Sequence, residues 1–553
     1  MKRTMFGKLM AVAVAGTLCV SMLAGCGNTD STPNNTDAGN SNTSDTQGNT
    51  ENQNTDSDSS DKVYHYTMAM YNSGPWNDPV ESLAYYKEIF PDIDIELVYV
   101  EKANATEKIS LLIGSKDTPD VMQMADRDTL YNQGALGSWT EEFFREHAPN
   151  ISKIIDEIDP EAWNYVKYDG ENMYSIPGWN LNNTYSEISV WNQDWLDAVG
   201  EKVPTTLEDA ERVFYKFVKD DPDKNGANDT YAISEQGFKP IYGAFGFERG
   251  MWLDDGNGKL VFGDVMPQAK EALAKLSQWY KDGIIDPEFI TGEAEGGYWA
   301  LSQPLNKQKI GFTNAGWWYH WQPVLTDDPG DLGGRNYQEF KALNPDGTLA
   351  YGVPLVGPDG KSGHVVNNPL TFRTHFSKEL CEDTERLGRL FEFIDYVNGS
   401  DMSGDMNPVI TNYYGPEGQT WDYDENGLVK THLTADMTWD DIGFSGWYGT
   451  FTFMEEGGSL NFQKTRRGAA PELDWIESIT KDYPEGYTNK LHKTLETASE
   501  YKAELDKLLN EGYISIITGE SPLDYFDEMV DLWYNNGGQE MTDEVNEWYS
   551  QYQ

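Results

Sequence analysis

The stretch from residue 63 to residue 124 constrains the fold more than any other, because strand-like and helix-like patterns alternate along it at the spacing of crossover units. Residues 63–71 (Val-Tyr-His-Tyr-Thr-Met-Ala-Met-Tyr) have the β-branched and aromatic content of a strand. A turn-rich loop over 72–79 leads to an amphipathic helix that includes Tyr86 and Phe90. Residues 92–100 alternate as a second strand, 106–113 read as a second helix, and Val121-Met-Gln-Met124 forms a third strand after the breaker run 114–120. Strands joined through helices pair in parallel and the helices cover the sheet faces, so the expected class is α/β with a parallel sheet. Ligands of such sheets sit beyond the carboxyl ends of the strands. That rule singles out Trp76, Asn77, Asp126 and Arg127, although each fits a plain loop position equally well.

Upstream the chain changes character. Lys2, Arg3 and Lys8 precede a short apolar run over 9–22, interrupted by Gly16, Thr17 and Ser21, which is too short for a stable bilayer span and reads as a secretory signal. Leu23-Ala24-Gly25-Cys26 resembles the lipobox of bacterial lipoproteins. On that resemblance residues 1–25 are a signal peptide and Cys26 is the lipid-modified first residue of the exported chain. Residues 27–61 are almost wholly Asn, Thr, Ser, Asp and Gly, too polar to offset the entropy of ordering, and read as a disordered linker.

Charge and cysteine content exclude several classes. The 92 acidic and 41 basic residues give a net charge of −51, a field of the wrong sign for nucleic acid or an anionic membrane surface. With Cys19 in the signal and Cys26 at the lipid site, Cys381 stands alone, so no disulfide framework exists.

An ordered series of weak motifs runs through the rest: Asp169-Gly-Glu-Asn-Met-Tyr-Ser-Ile-Pro-Gly178, Val190-Trp-Asn-Gln-Asp-Trp-Leu-Asp-Ala-Val-Gly200, Trp279-Tyr-Lys-Asp-Gly-Ile-Ile-Asp-Pro-Glu-Phe289 and Tyr414-Gly-Pro-Glu-Gly418. Together they resemble the family 1 extracellular solute-binding proteins of carbohydrate ABC importers, in particular their lipoprotein branch. The resemblance implies a two-lobe periplasmic-binding-protein-like (type II) fold over residues 62–553, with a hinge and an interlobe cleft. Lobe 1 is expected over about 62–180 plus a returning segment of about 352–413, and lobe 2 over 181–351 and 414–553. It further implies a monomer on the extracellular face of the membrane, with an oligosaccharide or glycan fragment as ligand and an ABC permease as partner.

Candidate ligand contacts beyond those at the strand ends are mostly aromatic. Residues 315–321 (Ala-Gly-Trp-Trp-Tyr-His-Trp) follow a short strand, and Trp317 with Trp318 make the best sugar platform, since ring faces accept the apolar face of a pyranose. A core cluster capping a helix would look the same. Trp179, Asn180, Trp447 and Tyr448 are similar loop positions, and Glu417 in its turn could accept sugar hydroxyls or simply hold the turn.

Asp221-Pro-Asp223-Lys-Asn225-Gly-Ala227-Asn-Asp229 repeats oxygen-bearing side chains around a glycine, as a loop wrapping calcium does. Asp221, Asp223, Asn225 and Asp229 would ligate through side chains and Ala227 through its carbonyl, as a structural site. The usual closing acid is missing, Ala232 standing in its place, and a solvated turn before a helix is the alternative. Asp422-Tyr-Asp424-Glu-Asn426-Gly427 starts the same way but reads as a β-hairpin tip. No catalytic signature is present: there is no His-Glu-x-x-His, no Gly-x-Ser-x-Gly and no complete phosphate loop. A lipid-anchored glycoside hydrolase and a non-transport glycan-binding surface protein remain the alternatives to a binding protein that is not an enzyme.

Overall fold

A computed structural model describes residues 62–552 apart from 73–79, 102–103, 169, 181–184, 186, 291–299, 328–330, 433–443, 445–450, 455–461, 463–464 and 466–469. Residues 61–553 form one compact unit. Within it, two large apolar cores are built from different stretches of chain and define two lobes.

The first lobe is organised on a five-stranded sheet of β1 (Tyr64–Asn72), β2 (Ile93–Glu101), β3 (Val121–Gln123), β4 (Ile176–Trp179) and β5 (Leu370–Phe376). Their spatial order is β2-β1-β3-β5-β4. β1 runs parallel to β2 from Tyr64↔Ile93 to Asn72↔Glu101, and parallel to β3 at Met68↔Val121. Alternation along β1 sends Tyr66, Met68 and Met70 into a core with Trp139, Phe144 and Phe391. Ala69 goes to the opposite face with Val100, Met122 and Leu130.

The sheet is not wholly parallel, in contrast to the expectation from the first hundred residues. β5 lies antiparallel to both β3 and β4. It re-enters this lobe after the chain has passed through the other one, so no crossover helix dictates its direction. Its register shifts between Phe372 and Thr374, a β-bulge centred on Arg373.

The second lobe packs the helices Leu207–Lys219, Lys239–Phe245, Pro267–Lys281 and Ala498–Thr518 around an aromatic core. A three-stranded antiparallel sheet, with Ser189–Asn192 between Phe312–Thr313 and Leu349–Gly352, completes it. The helix Leu207–Lys219 shows why these residues fold locally: Leu207, Ala210, Val213, Phe214 and Phe217 fall on one buried stripe. Its N-cap is Thr206, which takes the extended backbone and whose hydroxyl accepts from the Asp209 N–H at 3.1 Å.

Lobe membership departs from the sequence expectation at two places. Lobe 2 is expected to include 414–553, but Phe451, Phe453 and Met454 are part of the lobe 1 core. Asn412 and Asn398 fix that segment by accepting from the Phe451 and Phe453 backbone N–H groups at 2.8 and 3.1 Å. Leu355 belongs to the lobe 2 core, so the returning segment joins lobe 1 nearer Leu370 than residue 352. The stretch that begins at Asp422 is part of a hairpin, with residues 424–428 as the tip between Trp421–Tyr423 and Val429–Thr431 and Gly427 at φ +78°.

Candidate functional site

The chain leaves the carboxyl end of β3 through Met124, whose φ of +66° is unusual for a residue with a side chain. Its N–H donates to the Arg373 carbonyl of the β5 bulge at 2.7 Å. Asp126 then caps the helix Arg127–Asn132, accepting from the Thr129 N–H at 2.8 Å and the Thr129 hydroxyl at 2.6 Å. Its other oxygen accepts from the Thr494 hydroxyl at 2.9 Å. The β3 exit thus meets, through Asp126, a segment more than 360 residues later in the chain.

Arg127 is only 5% exposed. Its guanidinium donates to the Tyr165 carbonyl at 2.6 Å, the Tyr168 hydroxyl at 2.9 Å and the His492 carbonyl at 3.1 Å, and pairs with Asp128 at 3.3 Å. It lies over the Phe372 ring, 4.3 Å from the centroid. Asp128 in turn accepts from Tyr168 and from the Thr494 N–H. Arg127 is therefore a tie between the sheet end and residues 492–494, which continue into the lobe 2 helices. His492 stacks on Tyr165 at 4.5 Å and its Nδ1 accepts from the Asn368 amide at 2.7 Å. Burial pushes its imidazole down to about 4, so the ring is neutral at physiological pH.

These groups surround a cavity of about 480 Å³ whose lining includes Asp126, Arg127, Asn368, Thr371, Arg373 and Lys493. A neighbouring cavity of about 430 Å³ extends past Tyr165, Tyr168, Lys493 and Glu544 to Trp548. Lys493 pairs with Glu544 at 3.1 Å. Of the residues picked out from sequence, Asp126 and Arg127 are the ones brought together at this cavity.

The others lie elsewhere. Trp318 is 1% exposed and sits in a lobe 2 cluster with Ile188, Val190, Trp321 and Ile476. Its ring closes that core, because Ile476 and Trp321 cover it; Trp317 beside it is half-buried. Trp179 is 3% exposed, a core residue of β4, and the Asn180 N–H donates to the Pro369 carbonyl at 2.8 Å. Glu417 is exposed in its turn and accepts from the Asn407 amide at 2.5 Å. Trp76, Asn77, Trp447, Tyr448 and Cys26 lie outside the described residues. Asn368, His492, Lys493 and Thr494 carry no local sequence signal, since their place depends on contacts with segments far away in the chain.

The 221–229 loop folds on itself through left-handed backbone at Asp221, Lys224 and Gly226. The Asn225 amide donates to Asp223 at 2.7 Å and Asp229 at 3.1 Å, and the Gly226 N–H donates to Asp221 at 3.0 Å. Burial, and then the neighbouring Asp221 carboxyl, push the Asp223 carboxyl above the usual range. Asp221 Oδ1 is buried without a hydrogen-bond partner. Among the described residues no group of three or more His, Cys, Asp or Glu side chains is arranged as a metal cage. The donor set is nevertheless all oxygen, with one acceptor left unanswered, which fits a hard cation in chemistry.

A family model described as bacterial extracellular solute-binding protein matches residues 41–379. The polygalacturonan/rhamnogalacturonan-binding protein YtcQ of Bacillus subtilis (strain 168) is 21% identical over 543 residues, 96% of each chain. Lipoprotein LipO of the same organism is 23% identical over 483 residues, 82% of this chain and 86% of its own. Among solved structures, the S. pneumoniae ABC-transporter substrate binding protein FusA in complex with kestose superposes with a TM-score of 0.61 at 19% identity, covering 89% of this chain and 99% of that one. The likeness shows the two-lobe fold of solute-binding proteins.

Proposed function

The chain belongs to the bacterial extracellular solute-binding protein family, and on that premise we propose that it captures an oligosaccharide or glycan fragment outside the cell and delivers it to an ABC importer. Its relatives are binding proteins, so the work of its site is binding rather than catalysis. The observation that carries the proposal is the cavity at the β3 exit, walled by lobe 1 and by residues 491–494 of the chain entering lobe 2. Its volume of about 480 Å³ is in the range of small-molecule sites. A ligand touching both walls selects the state in which they are close, which is the coupling a receptor needs to report its load to a permease. YtcQ, named for galacturonan binding, and FusA, solved with kestose, support a sugar as the solute. LipO, named a lipoprotein, supports lipid attachment at Cys26.

Structural calcium in the 221–229 loop belongs to the same proposal. Asp221, Asp223, Asn225 and Asp229 side chains and the Ala227 carbonyl would hold it, and its charge would relieve the crowding of carboxylates there.

The test is a thermal-shift screen of the full chain in detergent against a glycan library. A ligand at a hundredfold excess over its Kd stabilises by about 2.7 kcal/mol. A shift from one glycan class, with the glycan recovered intact, is the expected result; recovery of cleaved glycan, or no shift from any sugar, refutes the proposal.

A further inference from the structure

We propose that His492 is a proton-sensitive catch on the cavity at the β3 exit: its neutral ring holds residues 491–494 against lobe 1, and a protonated ring lets them go, which opens the cavity wall and releases the solute. The release of solute rests on the reading of that cavity as the ligand site; the catch itself does not. The first observation is the tautomer that the hydrogen bonds impose. The Asn368 side-chain oxygen accepts from the Leu370 N–H at 3.0 Å, which fixes the amide and turns its N–H toward His492 Nδ1 at 2.7 Å. Nδ1 is therefore the acceptor, and the one proton of the neutral ring sits on Nε2. A second proton can enter only at Nδ1, where it meets the Asn368 donor. Proton uptake and this bond exclude each other.

The second observation is what the residue joins. Its ring stacks on Tyr165 of lobe 1 at 4.5 Å and meets Trp548 of the helix Gln539–Tyr549 at 6.2 Å. Its carbonyl accepts from Arg127 at 3.1 Å, and two residues on Thr494 donates to Asp126 and Asp128. Leu491, His492, Lys493 and Thr494 all line the cavity, as does Asn368. The charged groups around the ring give a second positive charge no relief. Burial, then the cations Arg127 and Lys490, hold the imidazole down at about 4. The neighbouring acids are engaged elsewhere: Asp128 pairs with Arg127, Asp126 accepts from Thr129 and Thr494, and Glu544 pairs with Lys493. The Tyr165 hydroxyl donates to Glu161 at 3.3 Å. Once the segment lets go, water reaches the ring and its proton affinity returns toward the ordinary value of 6.5. The catch is thus fully held above pH 6.5 and weakens as pH falls toward about 4.

Hydrogen exchange over residues 490–497 of the full chain, corrected for the intrinsic effect of pH, reads the catch without any ligand. Wild type is expected to lose at least tenfold in protection between pH 7 and pH 4.5, while the lobe 2 helix Pro267–Lys281 keeps its own. His492→Gln offers Asn368 an acceptor that takes no proton and is expected to change less than twofold over the same range. Asn368→Asp replaces the facing donor by an acceptor and is expected to keep the segment protected at pH 4.5; it decides the matter should His492→Gln fail to fold. His320, His364 and His375, also lowered to about 4 chiefly by burial, are present in all three proteins, so general loosening by acid appears equally in each. Unchanged wild-type protection overturns the inference, as does a loss in either variant equal to that of wild type. Calorimetry with a neutral galactose oligomer reads the release. Binding at pH 4.5 is expected to be at least tenfold weaker than at pH 7 in wild type and less than twofold weaker in His492→Gln; equal weakening in both overturns it. An oligomer that does not bind at pH 7 counts against the sugar reading alone, and the exchange result still decides the catch.

Discussion

Replacing Arg127 by Met separates the two roles open to a cation at the end of β3. The side chain is 5% exposed and Asp128 beside it 6%. Removing the guanidinium deletes bonds to Tyr165, Tyr168 and His492 and leaves the Asp128 carboxylate buried without its cation. Breaking a buried pair from one side costs about 3–5 kcal/mol. Tyr168 and the Thr494 N–H still donate to Asp128, which puts the expected loss at the low end, about 3 kcal/mol. Converting Asp128 to Asn in the same molecule removes the stranded charge, so the double variant should be more stable than Arg127→Met alone by about 1–2 kcal/mol, within the range of coupling between contacting residues. Thr494→Val deletes one hydrogen bond to Asp126 and should cost about 1 kcal/mol. Urea unfolding followed by tryptophan fluorescence reads all four proteins, and glycan affinity is measured beside it. A stability change under 0.5 kcal/mol for Arg127→Met, roughly the noise of a surface substitution, together with collapsed affinity, would refute the tie and make Arg127 a ligand contact.

Three further outcomes are expected at other places in the chain. Trp318→Ala should cost about 3–5 kcal/mol, the usual loss for a buried aromatic, and leave glycan affinity unchanged in protein that remains folded; weakened binding at unchanged stability would return Trp318 to the site. Glu248 is fully buried with Oε1 unpartnered, and burial, partly opposed by Lys239, raises its carboxyl well above the usual value of 4.5. The folded state then keeps a proton that the unfolded chain releases above that value, so stability is fully present below pH 4.5 and falls as pH rises toward the folded pKa, by up to about 1.4 kcal/mol per unit. Glu248→Gln should flatten this slope and stabilise the protein at pH 8; an unchanged slope in urea unfolding at pH 5 and pH 8 counts against it. In the 221–229 loop, chelator should lower the wild-type melting temperature. Asp223→Asn should abolish that response while melting no lower than chelated wild type, since it removes one of the crowded carboxylates; a variant that still answers to calcium would exclude Asp223 as a ligand.

How much of this is legible in the sequence depends on how far apart the deciding residues are. The alternation of Tyr66, Met68 and Met70 against Ala69 is local, so β1 and its parallel neighbours can be read from a dozen residues at a time. The stripe on Leu207–Lys219 is legible for the same reason. The direction of β5 is not, because its pairing of Thr374 with Gln123 spans some 250 residues and no local pattern distinguishes a strand that continues a crossover from one that returns. Trp318 fails in another way. An aromatic run after a short strand suits a sugar platform or a core corner equally, and only the arrival of Ile476 decides in favour of the core.

Arg127 separates place from role. Its place is a topological consequence, since whatever follows a short buried strand in an α/β sheet arrives at the carboxyl edge, and the structure puts it there. Its role depends on which acceptors surround the guanidinium. Tyr165, Tyr168 and His492 come from two other segments, and once they and Asp128 are in contact the donors face inward. Arg373 is hidden in the sequence for a different reason. Nothing in Thr371-Phe-Arg-Thr374 marks a bulge, because a bulge is a property of two strands in register and appears only when β4 and β3 flank β5. A cation's position in an acidic chain therefore says where a site can be, and its neighbours from distant segments decide whether the charge faces the protein or the ligand.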